Sequence, residues 1–179
     1  EAAQASRTEV RIKAMATLGE LGHRESVTLF ERAFSEGRVT IRRAAALGLG
    51  AVAKARDIKR IGKYLRTEPD AAVKIELIKG LAKIGTKDIL GPLQFMLYDR
   101  NSAIKTEAVK AIANLGGPAV TMRLGLLKRD PDLNIRFLVW HSLLTNSPKQ
   151  SQAEFENGAL NWLTAEMIKS LSQSKKVPV

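Results

Sequence analysis

Apolar residues recur along the chain with two periods, one nested in the other. The short period is helical. Between Val10 and Gly22 the apolar side chains are Val10, Ala14, Met15, Leu18 and Leu21. Counted from Val10 they fall at offsets 0, 4, 5, 8 and 11, which lie on one face of an α-helix. The long period repeats this pattern from Ile41, Val73, Ile104 and Ile135, so the anchors stand 31, 32, 31 and 31 residues apart. In the fourth copy the same offsets hold Ile104, Ala108, Val109, Ile112 and Leu115. A fixed period of this length marks stacked supersecondary units.

Offset 9 is small in four copies, at Gly19, Gly50, Ala82 and Ala113, and small residues there let another helix approach closely. Gly22, Gly85 and Gly116 stand where a left-handed cap ends a helix. Ala53 and Ser147 depart from that rule. A shorter second helix follows in each copy, carried by Val27, Leu29, Phe30 and Phe34, then Ile58, Ile61 and Leu65. Ile89, Leu90, Leu93 and Leu97 serve the third copy, and Val120, Leu124 and Leu127 the fourth. Pro92 falls early in its helix, where proline is tolerated.

One such hairpin cannot bury its own apolar face, but stacked copies can. The expected fold is therefore all-α, one solenoid domain over 1–179. Its repeats are at about 8–40, 41–72, 73–103, 104–134 and 135–171. Ser6-Arg-Thr-Glu9 reads as a capping box that starts the first helix. After a polar loop at 146–151, Phe155, Leu160, Trp162, Leu163, Met167, Ile168 and Leu171 predict a terminal capping helix. Residues 172–179 read as a loose tail.

The segments resemble the HEAT-like repeats first described in phycobilisome lyases and found in many scaffold proteins. The shared pattern is a branched residue followed by Arg or Lys, then Ala, Leu-Gly and Leu-Gly, as in Val10-Arg11, Ala14, Leu18-Gly19 and Leu21-Gly22. The likeness covers about residues 8–145 and implies a right-handed α-α superhelix whose second helices line the concave surface. These motif residues are packing residues, so they speak to fold and not to activity.

Charge changes the picture in two places. Offset 1 is basic in every copy, at Arg11, Arg42, Lys74, Lys105 and Arg136. Such a row could track phosphates. Yet Glu36, Glu68, Asp99 and Asp130 precede the four interior anchors by five residues, so the expectation is an ion pair between each loop and the helix it leads into. Arg11 has Ala5 at the matching position, which predicts a free cation or an upstream repeat beyond the sequence given. The chain begins at Glu1 and not at Met, as expected of a fragment, a processed form or the ordered part of a longer chain.

The net charge is +11, and nearly half of it lies in the second repeat, with eight bases against three acids. There Arg56, Lys59, Arg60, Lys63 and Arg66 stand three and four residues apart, on the helix face opposite Ile58, Ile61 and Leu65. The resemblance implies that this stripe faces a concave groove, where field is focused and anionic partners are favoured.

Catalytic chemistry finds little support. With no cysteine, thiolate nucleophiles, disulfides and zinc-thiolate sites are excluded, and compartment is left open between cytoplasm and periplasm. His23 and His141 lack ligand spacing, so no metal is expected, and no phosphate-binding glycine loop occurs. Trp140 with Asp130 or Asp132 faintly echoes HEAT-like DNA glycosylases, but Trp140 falls at the core offset held by Met15, Ala46, Ile78 and Val109. No group equivalent to a bilin-lyase catalytic residue stands out. No run of 18 apolar residues could span a membrane. The expected function is a non-catalytic, cofactor-free scaffold that binds a protein, acidic in character, along its concave face. Nucleic-acid binding through the basic helix of the second repeat is the alternative.

Overall fold

The computed structural model describes residues 2–146, with Gly158 beyond them. The predicted terminal helix, the tail and Ser147 lie outside the described residues. The described chain is helical throughout. The first helices of successive repeats are α1 (Ala2–Glu20), α3 (Val39–Val52), α5 (Ala71–Ile84), α7 (Ser102–Ala113) and α9 (Leu133–Asn146). The second helices are α2 (Val27–Phe34), α4 (Ile58–Thr67), α6 (Leu90–Leu93) and α8 (Pro118–Gly125). α6 is flanked by 3-10 turns at Lys87–Ile89 and Met96–Tyr98, so Pro92 interrupts little regular helix.

Local chemistry sets the ends. Asp70 caps α5 by accepting from the Val73 N–H at 3.0 Å. Asn101 accepts from Ala103 N–H at 2.9 Å, and Asp132 from Asn134 N–H at 2.8 Å, at the same place in the next two repeats. Gly22, Gly85 and Gly116 have φ of 66°, 67° and 62°, the left-handed geometry that favours glycine. Ala53 instead leaves α3 in an extended conformation, as a residue with a Cβ must be expected to do. The Ser6–Glu9 capping box does not start a helix. α1 runs through it from Ala2, because no glycine or proline stands before it and Ala2, Ala3 and Ala5 favour helix.

The first helices meet backbone to backbone. A Cβ on Gly50 would lie 2.8 Å from the Gly80 Cα, and one on Gly80 only 2.6 Å from the Gly50 Cα. Gly19 approaches Gly48 in the same way, at 3.0 Å. At both seams the glycine at offset 9 thus faces a glycine at offset 7 of the next first helix. The second helices are held apart by side chains: Phe34 and Tyr64 stack with centroids 4.4 Å apart, and Pro92 lies against Gly62. Accordingly, first helices contact one another far more extensively than second helices do. A stack that is tighter along one row bends toward that row. The first helices therefore hold the inner surface and the second helices the outer one.

The ion-pair ladder is real, but its register differs from the local pairing expected. Arg42 donates to Glu68 from Nε at 2.9 Å and Nη2 at 3.0 Å. Lys74 reaches Asp99 at 3.0 Å, Lys105 reaches Asp130 at 2.7 Å, and Arg11 pairs with Glu36. Each base meets the acid 25 or 26 residues further on, at the far end of its own repeat. The reason is antiparallel geometry: the start of a first helix lies beside the end of its second. Arg11 thus has its acid, and no missing upstream repeat is needed to explain it. The position that would match Arg136 lies past residue 146, outside the described residues.

The acids do more than neutralise. Glu68, Asp99 and Asp130 also accept the backbone N–H two residues on, from Asp70, Asn101 and Asp132 at 3.0, 2.9 and 2.9 Å. One carboxylate therefore closes the hairpin and shapes the turn that delivers the next helix cap. A separate buried pair, absent from the expectations above, joins repeats: Arg24 meets Asp57 at 2.7 Å and donates to the Val52 carbonyl. Asp57 is only 2% exposed. Burial alone would raise its carboxyl. The Arg24 and Lys54 N–H donors and the Arg24 charge outweigh that, and hold it below the ordinary range.

The first repeat differs from its copies. Ile41, Val73, Ile104 and Ile135 are at most 2% exposed, whereas Val10 is 64% exposed and Leu21 75%. Each later first helix packs on the one before it, whereas no described helix precedes α1. Leu29, assigned to the core, is also exposed.

Two predictions follow from this packing. Gly80→Ala should destabilise the chain by about 1–3 kcal/mol, since overpacking against backbone outweighs the roughly 1 kcal/mol gain in helix propensity. Gly91→Ala, where an added Cβ meets nothing within 4 Å, should be neutral or stabilising in the same urea titration. Equal effects at the two sites would contradict the close seam. For Asp99, burial raises the carboxyl, but the Asn101 N–H and the Lys74 ammonium hold it below its ordinary value. Its contribution is thus complete at neutral pH and is lost as pH falls below about 4. Asp99→Asn should therefore unfold earlier than the native chain at pH 7, with the gap closing toward pH 3. A gap of constant size would refute the linkage.

Candidate functional site

The basic stripe occupies α4 and the turn before it. Arg56, Lys59, Arg60, Lys63 and Arg66 are all exposed, opposite the buried Ile58, Ile61 and Leu65. Its expected concave placement does not hold: α4 belongs to the wide row, so the stripe lies on the outer surface. Arg60 pairs with Glu31 of α2. No acid among the described residues forms an ion pair with the other four. Tyr64 is half-buried against Phe34, and burial pushes its hydroxyl pKa upward.

The inner surface is built from offsets 2, 3, 6 and 10 of the first helices. Arg43, Leu47, Lys79, Lys83, Lys110, Phe137 and His141 are exposed there. Glu76 is largely buried between two of the cations, with Arg43 at 3.5 Å and Lys79 at 3.6 Å. Lys110 pairs with Glu107 at 2.9 Å on α7, the same offsets one repeat later. Two hollows of about 370 Å³ each lie between adjacent first helices. One, between α5 and α7, is lined by Ile75, Lys79, Thr106 and Glu107 among others. The other, between α7 and α9, is lined by Lys110, Asn114, Leu138 and His141 among others. The surface thus alternates aliphatic floors with cationic rims.

This surface forms no charge cluster in the sequence, because it takes only one or two residues from each repeat. A signal was nevertheless present. Packing offsets hold similar residues in every copy, whereas offset 2 holds Ile12, Arg43, Ile75, Thr106 and Phe137. Positions that vary among otherwise regular copies are those the fold does not constrain.

The candidate catalytic groups are committed to structure. Trp140 is 6% exposed and packs in the core, with the Lys128 ammonium 5.1 Å from its ring centre. Asp130 is bound by Lys105 and the Asp132 N–H. Asp132 accepts the Ser102 hydroxyl, which chiefly holds its carboxyl low, and caps α9. His23 contacts Ser26 at 2.7 Å and His141 lies 6.3 Å from the Phe137 ring. Among the described residues, no three metal-ligating side chains cluster.

A family model of HEAT repeats matches residues 58–144. No curated protein sequence matches the chain. Among solved structures, the chain resembles one of the complex of CpcE and CpcF of phycocyanin lyase from Nostoc sp. PCC7120. The two are 19% identical with a TM-score of 0.59, over 73% of this chain and 85% of that one. That likeness is one of fold, and it agrees with the 31-residue period, the left-handed glycine caps and the two helical rows. Residues 58–144 thus match the HEAT repeats, and the described repeats together form a HEAT-like helical solenoid.

Proposed function

We propose that the chain is a non-catalytic scaffold that binds a protein partner along the inner surface of its first helices. The observation that carries this reading is the pair of successive hollows between α5, α7 and α9, rimmed by Lys79 and Lys110 at equivalent positions. Aliphatic floors such as Ile75 and Leu138 accept apolar side chains, and the repeated cations match carboxylates on the same partner segment. A partner carrying acidic and apolar residues in alternation suits this surface best. The commitment of Asp130, Asp132 and Trp140 to packing and capping supports a binding role over a catalytic one. The CpcE–CpcF structure, in which a chain of similar fold is held in a complex, agrees with a role in assembly.

The test uses a photo-crosslinking residue placed at Thr106 or His141, on the inner surface, and at Thr28, on the outer one. In cells of origin, the inner positions should give one discrete protein adduct that Thr28 does not. Lys79→Glu combined with Lys110→Glu should reduce that adduct at least about tenfold, as expected for desolvated charge pairs, while leaving the helical spectrum unchanged. No discrete adduct from the inner positions, or one indifferent to both reversals, would overturn the reading.

A further inference from the structure

The outer row carries a second surface that the partner-binding reading does not use. Offsets 18, 22 and 25 from each of the first four anchors all point outward. In the first repeat they are Thr28, Arg32 and Ser35, and in the second Lys59, Lys63 and Arg66. In the third they are Gly91, Phe95 and Tyr98, and in the fourth Met122, Leu126 and Arg129. All twelve are exposed and none is acidic. Five are cations, and none of these forms an ion pair with a described acid. The large apolar members are widely exposed: Phe95 56%, Tyr98 60%, Met122 66% and Leu126 71%. Acids of this row stand aside: Glu31 is taken by Arg60, and Glu25 and Asp88 lie at the edge, at offset 15.

Because the offsets are equivalent, the residues fall in columns across the stacked helices. Offset 22 reads Arg32, Lys63, Phe95, Leu126, two cations followed by two apolar groups. The outer face is thus basic at one end and apolar at the other. We infer that this face docks on an anionic lipid bilayer. The cations meet lipid phosphate and carboxylate groups, while Phe95, Leu126 and Met122 enter the boundary between headgroups and acyl chains. A nucleic acid would satisfy the cations but leave Met122 and Leu126 exposed, since only the rings of Phe95 and Tyr98 could stack on bases. A peptide needs a groove, and the hollows described above open on the other row. No helix among the described residues is long and apolar enough to cross a membrane, so the contact is peripheral.

The experiment is vesicle co-flotation of the whole chain. The vesicles are phosphatidylcholine alone or phosphatidylcholine with one-third phosphatidylserine, and a duplex DNA of random sequence serves as competitor. The chain should float with the anionic vesicles and not with the neutral ones. Each basic contact contributes a factor of about five, so Lys59→Glu with Lys63→Glu should lower partitioning more than tenfold. Phe95→Ser with Leu126→Ser should lower it several-fold and should make the remaining binding fully reversible in high salt. Both pairs are surface substitutions, and an unchanged unfolding midpoint would show that the fold is intact. No flotation at low salt would overturn the inference. So would flotation indifferent to the apolar pair, or DNA binding that outcompetes vesicles and ignores that pair. Lys79→Glu with Lys110→Glu, on the inner surface, should leave flotation unchanged, which separates this outcome from the fate of the partner-binding reading.

Discussion

The contact between Gly50 and Gly80 is the constraint on which the architecture depends. Two helix backbones come so close that neither position has room for a methyl group. The same arrangement, with Gly19 on Gly48, joins the first two first helices. The described second helices meet through side chains instead, Phe34 on Tyr64 and Pro92 against Gly62. The difference in spacing bends the stack, and the bend decides which side chains share a surface. Whether a cation lies in a groove or on an outer face is thus determined by residues that carry no charge.

The ion pairs answer a different need. A stack of short helices has many ends, and each end leaves backbone groups without helical partners. Here one carboxylate in each of three successive repeats serves three ends at once. Glu68 receives Arg42 from the start of its own repeat, holds the turn through the Asp70 N–H, and so positions Asp70 as the cap of α5. Asp99 and Asp130 do the same with lysines. Such pairs are largely removed from water, where a lone carboxylate would be costly, and this explains why base and acid occur together in each interior repeat. They are structural charges, set apart from the exposed cations of α4 and of the inner row.

Much of the fold was legible because repetition multiplies weak signals. One apolar stripe is ambiguous, but five at a constant interval are not. The glycine caps were read correctly from Gly22, Gly85 and Gly116, whose φ values are those of left-handed ends. The pairing of the ladder was legible in its members but not in its register. Sequence separation favours Glu36 with Arg42, whereas an antiparallel hairpin brings Arg42 beside Glu68. The burial of Val10 and Leu21 was misread because a residue's apolar character says nothing about whether a neighbour is present to cover it. The site was the least legible part. The stripe from Arg56 to Arg66 was found, but its side of the solenoid depends on Gly48 and Gly80 at offset 7, whose role appears only when two repeats are stacked.

The central claim is that the first-helix row is the tight, inner one. It is tested most directly by distances between spin labels placed two repeats apart on each row. One pair occupies Leu47 and Lys110, both at offset 6 of first helices; the other occupies Lys63 and Leu126, both at offset 22. Helices packed at about 8–10 Å put the inner pair at roughly 20 Å, and the account predicts a clearly longer distance for the outer pair. Equal distances, or a shorter outer one, would contradict it and would return the basic face of α4 to the concave side.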